Sequence, residues 1–155
     1  MVKQLVLLIQ DSNVLKEVQD TLLNSYRAGR RNYTIFKVGK ATLLRVSDVL
    51  SPKYSDVYDD QDNVKKNAFI HDQKTGKANT LYLKPITHDL VLYYEWLVQN
   101  NLIGEWLFPS ITHVEVHINE NQFYKVMSRV GDLLVNNNYL GTYTRRKTGT
   151  YCVYE

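Results

Sequence analysis

The sequence has little cysteine and no long run of apolar residues. Cys152 is the one cysteine among 155 residues, so no internal disulfide can form, and no cysteine and histidine spacing matches a zinc site. The apolar run from Leu5 to Ile9 is too short to cross a bilayer, and no small-residue cleavage site follows it. These absences argue against a disulfide scaffold or a zinc module, and we expect a cytoplasmic protein with no cofactor, no metal and no membrane partner.

A large excess of charge is also lacking, because the net charge is only +3. The basic residues are nevertheless segregated: six of them lie between Arg27 and Arg45 with no acidic residue among them, and a second group stands at positions 145–147. Acidic residues gather instead between positions 56 and 62. Such segregation favours one positive face that suits a polyanion, although an ordinary solvated surface has the same pattern.

The length and the hydrophobic content of 44% predict one globular domain over residues 1–155. Apolar residues recur at helical spacing in segments 12–28, 31–50, 87–101 and 119–134, and the last of these begins with Asn119 as a cap and Gln122 three residues later. Segments 54–58, 67–71 and 80–83 are rich in β-branched and aromatic residues. The predicted fold is therefore α+β, a mainly helical domain with a small three-stranded antiparallel sheet.

The segment Ala41-Thr-Leu-Leu-Arg-Val-Ser-Asp-Val-Leu50 is the first that points to chemistry. It resembles the first motif of the tyrosine recombinases, the phage integrase family, in which an arginine opens a helix and an acidic residue follows three positions on. The resemblance makes Arg45 the first catalytic arginine, which binds the scissile phosphate and stabilises its developing charge, and makes Asp48 a supporting acid. Leu43 departs from the family, which often has glycine just before this arginine.

The second segment, Asp72-Gln-Lys-Thr-Gly-Lys-Ala-Asn-Thr-Leu-Tyr-Leu-Lys-Pro85, is similar to the family's β-hairpin with a lysine just before its turn. The resemblance implies that Lys74 is the general acid, which donates a proton to the leaving sugar oxygen. Lys77 lies in the same turn and is the rival for this role. Both lysines are ordinary turn residues if the resemblance does not extend to function.

The third segment, Leu140-Gly-Thr-Tyr-Thr-Arg-Arg-Lys-Thr148, is similar to the family's second box, a histidine followed three positions on by an arginine. The resemblance places Arg146 as the second catalytic arginine and Tyr143 at the histidine position. Because the ordinary pKa of tyrosine is far above that of histidine, proton transfer near neutral pH is expected to be slower. The remaining basic residues of these regions are expected to contact DNA: Arg30, Arg31, Lys40, Lys77, Arg145 and Lys147.

The resemblance implies site-specific DNA recombination or integration, as in a phage or mobile element, with double-stranded DNA as the partner and no metal. The family's nucleophilic tyrosine follows the second arginine by tens of residues, whereas nine residues follow Arg146, so we expect a C-terminally incomplete catalytic domain that cannot cleave DNA alone. Three alternatives stay open: a non-catalytic protein that binds DNA or regulates a full-length recombinase, a protein with no nucleic-acid partner, and an enzyme completed by another subunit.

His113 and His117 have a spacing that is compatible with metal binding, but no carboxylate or cysteine completes such a site in the sequence. We expect them to be solvated histidines of a loop that precedes Asn119.

Overall fold

The computed structural model of the protein describes residues 12–71 and 74–136. In chain order the elements are α1 Ser12–Asn24, α2 Gly29–Thr42, α3 Val46–Leu50, α4 Tyr54–Val57, β1 Asn67–His71, β2 Ala78–Tyr82, α5 Thr87–Gln99 and α6 Glu120–Asn136. A short 3-10 turn, Lys84–Ile86, connects β2 to α5. The predicted α+β class with mainly helical content is confirmed.

The sheet differs from the prediction, because the described residues contain two strands rather than three. β1 and β2 are antiparallel, with Phe69 opposite Thr80. Segment 54–58, which we expected to be a strand, forms the short helix α4, and Tyr58 makes an isolated bridge with Val64. At the start of α4 the side chain of Asp56 accepts a hydrogen bond of 2.7 Å from the backbone N–H of Lys53, and the packing of Tyr58 against α5 favours the helix over a strand.

The core lies between the four longer helices. α2 packs against α1 and α5, and α6 packs against α1 and α3. Each helix contributes side chains with almost no exposure, among them Leu22, Phe36, Leu90 and Phe123. The predicted cap of α6 is confirmed, since the Asn119 side chain accepts a hydrogen bond from the Gln122 N–H at 2.8 Å and the Gln122 side chain accepts one from the Asn119 N–H at 2.9 Å.

The segment between α5 and α6, residues 100–119, contains no helix or strand but is fixed to the helices at several points. The buried Tyr93 hydroxyl donates to the Leu107 carbonyl at 2.6 Å, and the Ile118 N–H donates to the Phe108 carbonyl at 2.9 Å. Leu107 and Phe108 are buried. None of the helices within residues 12–71 and 74–136 is both long enough and apolar enough to cross a membrane.

Candidate nucleic-acid interface

Arg45 lies at the start of α3, after a sharp change of direction at the end of α2. Leu43 ends α2 in the left-handed region, with φ of 57°, and its N–H donates to the Gly39 carbonyl at 2.8 Å. Arg45 then takes an extended conformation at the N-cap of α3, and its carbonyl accepts the Asp48 and Val49 amides at 3.0 Å. The half-buried arginine therefore stands where the helix begins, as the first motif predicts.

Asp48 lies in the first turn of α3, three positions after Arg45, and is only 3% exposed. A carboxyl group at this depth needs polar partners within the protein, because burial of an unsatisfied charge is costly. Its burial, one helical turn after Arg45, suits a residue that stabilises the start of α3 better than one that contacts a ligand directly.

Lys74 and Lys77 lie in the turn between β1 and β2, and both are exposed. Gly76 adopts φ of +74° between them, a conformation that favours glycine, and the Lys77 N–H donates to the Thr75 hydroxyl at 3.2 Å. A lysine at the tip of a two-stranded ribbon is a mobile cationic donor, which is the property that the predicted general acid needs.

Arg30 and Lys40 lie on α2 in a stripe that also holds Tyr33 and Lys37. The spacing of 3, 7 and 10 residues from Arg30 brings all four within about 80° around a helix. The Arg30 guanidinium lies 5.5 Å and the Lys37 ammonium 5.9 Å from the centre of the Tyr33 ring, and Lys37 is also 3.7 Å from Asp89 of α5. The expected contacts Arg30 and Lys40 thus belong to one basic and aromatic stripe on α2.

Arg31, which was expected to contact DNA, does not belong to this stripe and is buried against the rest of the protein. Its side chain is 7% exposed, its Nη1 donates to the Pro109 carbonyl at 3.1 Å, and its Nε and Nη2 donate to Asn32 Oδ1 at 3.1 and 2.9 Å. Burial lowers the pKa of Arg31, and the neighbouring Tyr93 acts in the opposite direction. Arg31 therefore holds the segment after α5 against α2.

Four residues of the predicted site lie outside the described residues: Tyr143, Arg145, Arg146 and Lys147.

The two histidines ahead of α6 have different surroundings. His113 is exposed and its Nδ1 lies 3.8 Å from Glu115, while the ring of the half-buried His117 packs edge-on against Trp106. Within residues 12–71 and 74–136, no three histidine, cysteine or acidic residues are arranged to hold a metal ion.

Two features of the surface escaped the sequence analysis. Tyr33 between two cations could have been found from its spacing to Arg30 and Lys37 along α2. Phe69 and Tyr82 on the β-ribbon are 68% and 58% exposed. The alternation of β1, in which Ala68 and Ile70 are buried and Phe69 is exposed, was the available signal, but large aromatic residues in a strand are usually assigned to the core.

The fold and these side chains define a mainly helical α+β domain with basic residues at a helix start, along a helix and at a hairpin tip, the kind of surface that binds a polyanion. Over 148 residues the chain is 28% identical to a Bacillus subtilis (strain 168) protein named "Probable integrase/recombinase YoeC". The alignment covers 95% of this chain and 74% of that protein. This similarity supports an integrase/recombinase family for the chain. No family model and no solved structure matches it.

Proposed function

We propose that this protein binds duplex DNA and holds the scissile phosphate in site-specific recombination or integration. The observation that carries the proposal is the similarity to an integrase/recombinase over 95% of this chain. The position of Arg45 at the start of α3 in this chain agrees with it. The proposal concerns the phosphate-binding part of the reaction, in which permanently charged groups stabilise the charge that develops on the phosphate oxygens.

Arg45 is the proposed first arginine of this phosphate site. A guanidinium presents several N–H donors in one plane and stays charged at any working pH, so it suits two phosphate oxygens at once. The position of Asp48, buried one helical turn away, supports a role in fixing α3 and the orientation of Arg45. Arg146 is the proposed second arginine and Tyr143 a proposed hydrogen-bond donor to the same phosphate.

Lys74 is the proposed general acid. In this chemistry an attacking oxygen displaces the 5′ sugar oxygen from phosphorus, and the Lys74 ammonium donates the proton that the departing oxygen takes up. The exposure of Lys74 at the tip of the β-ribbon supports this role, because a general acid must be accessible to the departing oxygen. Lys77, also exposed in the turn, is the competing donor, and Lys74→Ala and Lys77→Ala variants distinguish the two.

The test of the phosphate site is binding to a labelled duplex at low and moderate salt. Arg45→Ala/Arg146→Ala is expected to weaken binding and to reduce its dependence on salt, because each lost phosphate contact removes about one released counterion. The matched control is Lys16→Ala/Lys125→Ala, which removes two charges at exposed positions of α1 and α6 that the proposal does not use. Equal weakening in both variants would mean that only total charge matters, and the phosphate site would be wrong.

The second candidate function is a DNA-binding protein that regulates recombination without chemistry of its own. Tyr143 at the family's histidine position favours it, because tyrosine is a poor proton donor or acceptor near neutral pH. Its partner is then DNA together with a second copy or a full-length recombinase. A covalent DNA adduct formed when the chain is mixed with a tyrosine-containing recombinase fragment, and lost in Arg45→Ala, would exclude this second function.

A further inference from the structure

The outward face of the β-ribbon carries two large aromatic side chains that the other residues described by the structure leave largely exposed. Phe69 on β1 and Tyr82 on β2 are 68% and 58% exposed, while the opposite face of β1 is buried through Ala68 and Ile70. Because Phe69 pairs with Thr80 and Asn67 with Tyr82, the two aromatic residues are diagonal neighbours on one face, about 7–8 Å apart. Each ring can therefore face a separate planar group.

The charge in the sequence around these rings is mainly positive. From Val64 to Lys84 the chain has five lysines and one acidic residue, Asp72. Lys74, Lys77 and Lys84 are exposed at the tip and the base of the ribbon. Lysine is depleted at interfaces between proteins, so this combination argues against a protein partner and for a polyanion.

From this juxtaposition we infer that the outward face of the β-ribbon is a binding site for unpaired nucleotides, with Phe69 and Tyr82 stacking on bases and the flanking lysines contacting phosphates. Bases of a duplex are already stacked on one another and offer no free face, whereas every unpaired base has one. Phe69, Tyr82 and Lys84 take no part in the proposed duplex site, whereas Lys74 and Lys77 belong to both sites. The inference goes beyond the proposed function because this face binds a different form of nucleic acid.

The experiment compares the binding of the 155-residue chain to a labelled oligothymidylate of about 15 nucleotides and to a duplex of the same length. Phe69→Ala/Tyr82→Ala is expected to weaken oligothymidylate binding about tenfold or more and to change duplex binding less than about twofold. The matched control is Val91→Ala/Val98→Ala, which truncates two other exposed apolar side chains, 41% and 47% exposed, on α5. This control should bind both probes as the unchanged protein does.

A second pair of variants separates stacking from general hydrophobic contact. Phe69→Leu/Tyr82→Leu keeps apolar area but removes the ring faces and should lose oligothymidylate binding, whereas Phe69→Trp/Tyr82→Trp should keep it. Oligothymidylate binding that is unaffected by the alanine or leucine pairs would overturn the inference, and so would an alanine pair that weakens both probes equally. Arg45→Ala should weaken binding to the duplex and leave binding to the oligothymidylate unchanged. This variant distinguishes a failure of this site from a failure of the proposed function.

Discussion

At the scale of single residues, two glycines of α2 differ sharply in the space around them. A Cβ at Gly29 would lie 2.2 Å from the Leu23 carbonyl oxygen of α1, whereas one at Gly39 would meet no atom within 4 Å. We expect Gly29→Ala to destabilise the protein by about 2 kcal/mol, because backbone must shift, and Gly39→Ala to stabilise it by about 0.5–1 kcal/mol through helix propensity. Urea unfolding of both variants measures this difference, and equal stabilities would contradict the close approach of α1 and α2.

Arg31 provides the second prediction at this scale, because its guanidinium group connects α2 to the segment after α5 through the Pro109 carbonyl. Arg31→Ala leaves the Pro109 carbonyl and the Asn32 side chain without their donors and is expected to cost about 3 kcal/mol of unfolding free energy. Duplex binding measured below the unfolding temperature should keep the salt dependence of the unchanged protein. A variant of unchanged stability with weaker, less salt-dependent DNA binding would show that Arg31 is a DNA contact after all.

At the scale of elements, the junction of α2 and α3 depends on one left-handed residue. Leu43 has φ of 57° and is 41% exposed, so its backbone takes a conformation that favours glycine and that costs other residues about 1 kcal/mol. Leu43→Gly is therefore expected to be more stable than Leu43→Ala by about 1 kcal/mol, since both lack the leucine side chain and only glycine relieves the backbone. Thermal unfolding of the two variants tests this, and an alanine variant as stable as the glycine variant would argue against the left-handed turn.

The elements also separate what the sequence could predict from what it could not. α6 was predictable down to its cap, because Asn119 and Gln122 form a local pair whose hydrogen bonds involve only neighbouring backbone. α4 was not, because Tyr54 and Tyr58 suit a strand equally well, and the choice depends on packing: the Tyr58 hydroxyl donates to the Leu90 carbonyl at 2.6 Å, and its ring stacks on Tyr54. Segments whose partners are distant in the sequence follow tertiary structure rather than propensity.

The same distinction applies to the candidate site. Arg45, Asp48 and Lys74 were predicted from short motifs, and their positions at a helix start, one turn on and at a hairpin tip follow from local chain geometry. The burial of Arg31 could not be read from its neighbours, since the Pro109 carbonyl that it contacts lies 78 residues away. A run of basic residues on a helix therefore mixes exposed and buried side chains, and only packing separates them.

At the scale of the whole molecule, buried tyrosines cause the free energy of unfolding to decrease at alkaline pH. Burial raises the pKa of Tyr58 and of Tyr93 above the ordinary value near 10. Since the unfolded state releases these protons first, their contribution to stability is complete below about pH 10 and is lost as the pH rises towards the folded-state pKa. Urea unfolding between about pH 8 and pH 11 should show this loss.

The control variants for this prediction are conservative phenylalanine substitutions. Tyr58→Phe/Tyr93→Phe removes both ionisable groups and should flatten the alkaline loss, although it lowers stability at neutral pH by about 1 kcal/mol for each lost hydrogen bond. Tyr82→Phe, at an exposed position, should follow the unchanged protein. A steep alkaline loss that persists in the double variant would assign the effect to other groups.

The left-handed residue at position 43 bears on how the end of a helix is recognised in a sequence. A pattern that demands glycine at the end of a helix passes over a chain with leucine there, although Leu43 takes the left-handed conformation that favours glycine. The selectable feature is thus the turn and not the letter. Conformation at the end of a helix is therefore a better criterion for this turn than the identity of the residue.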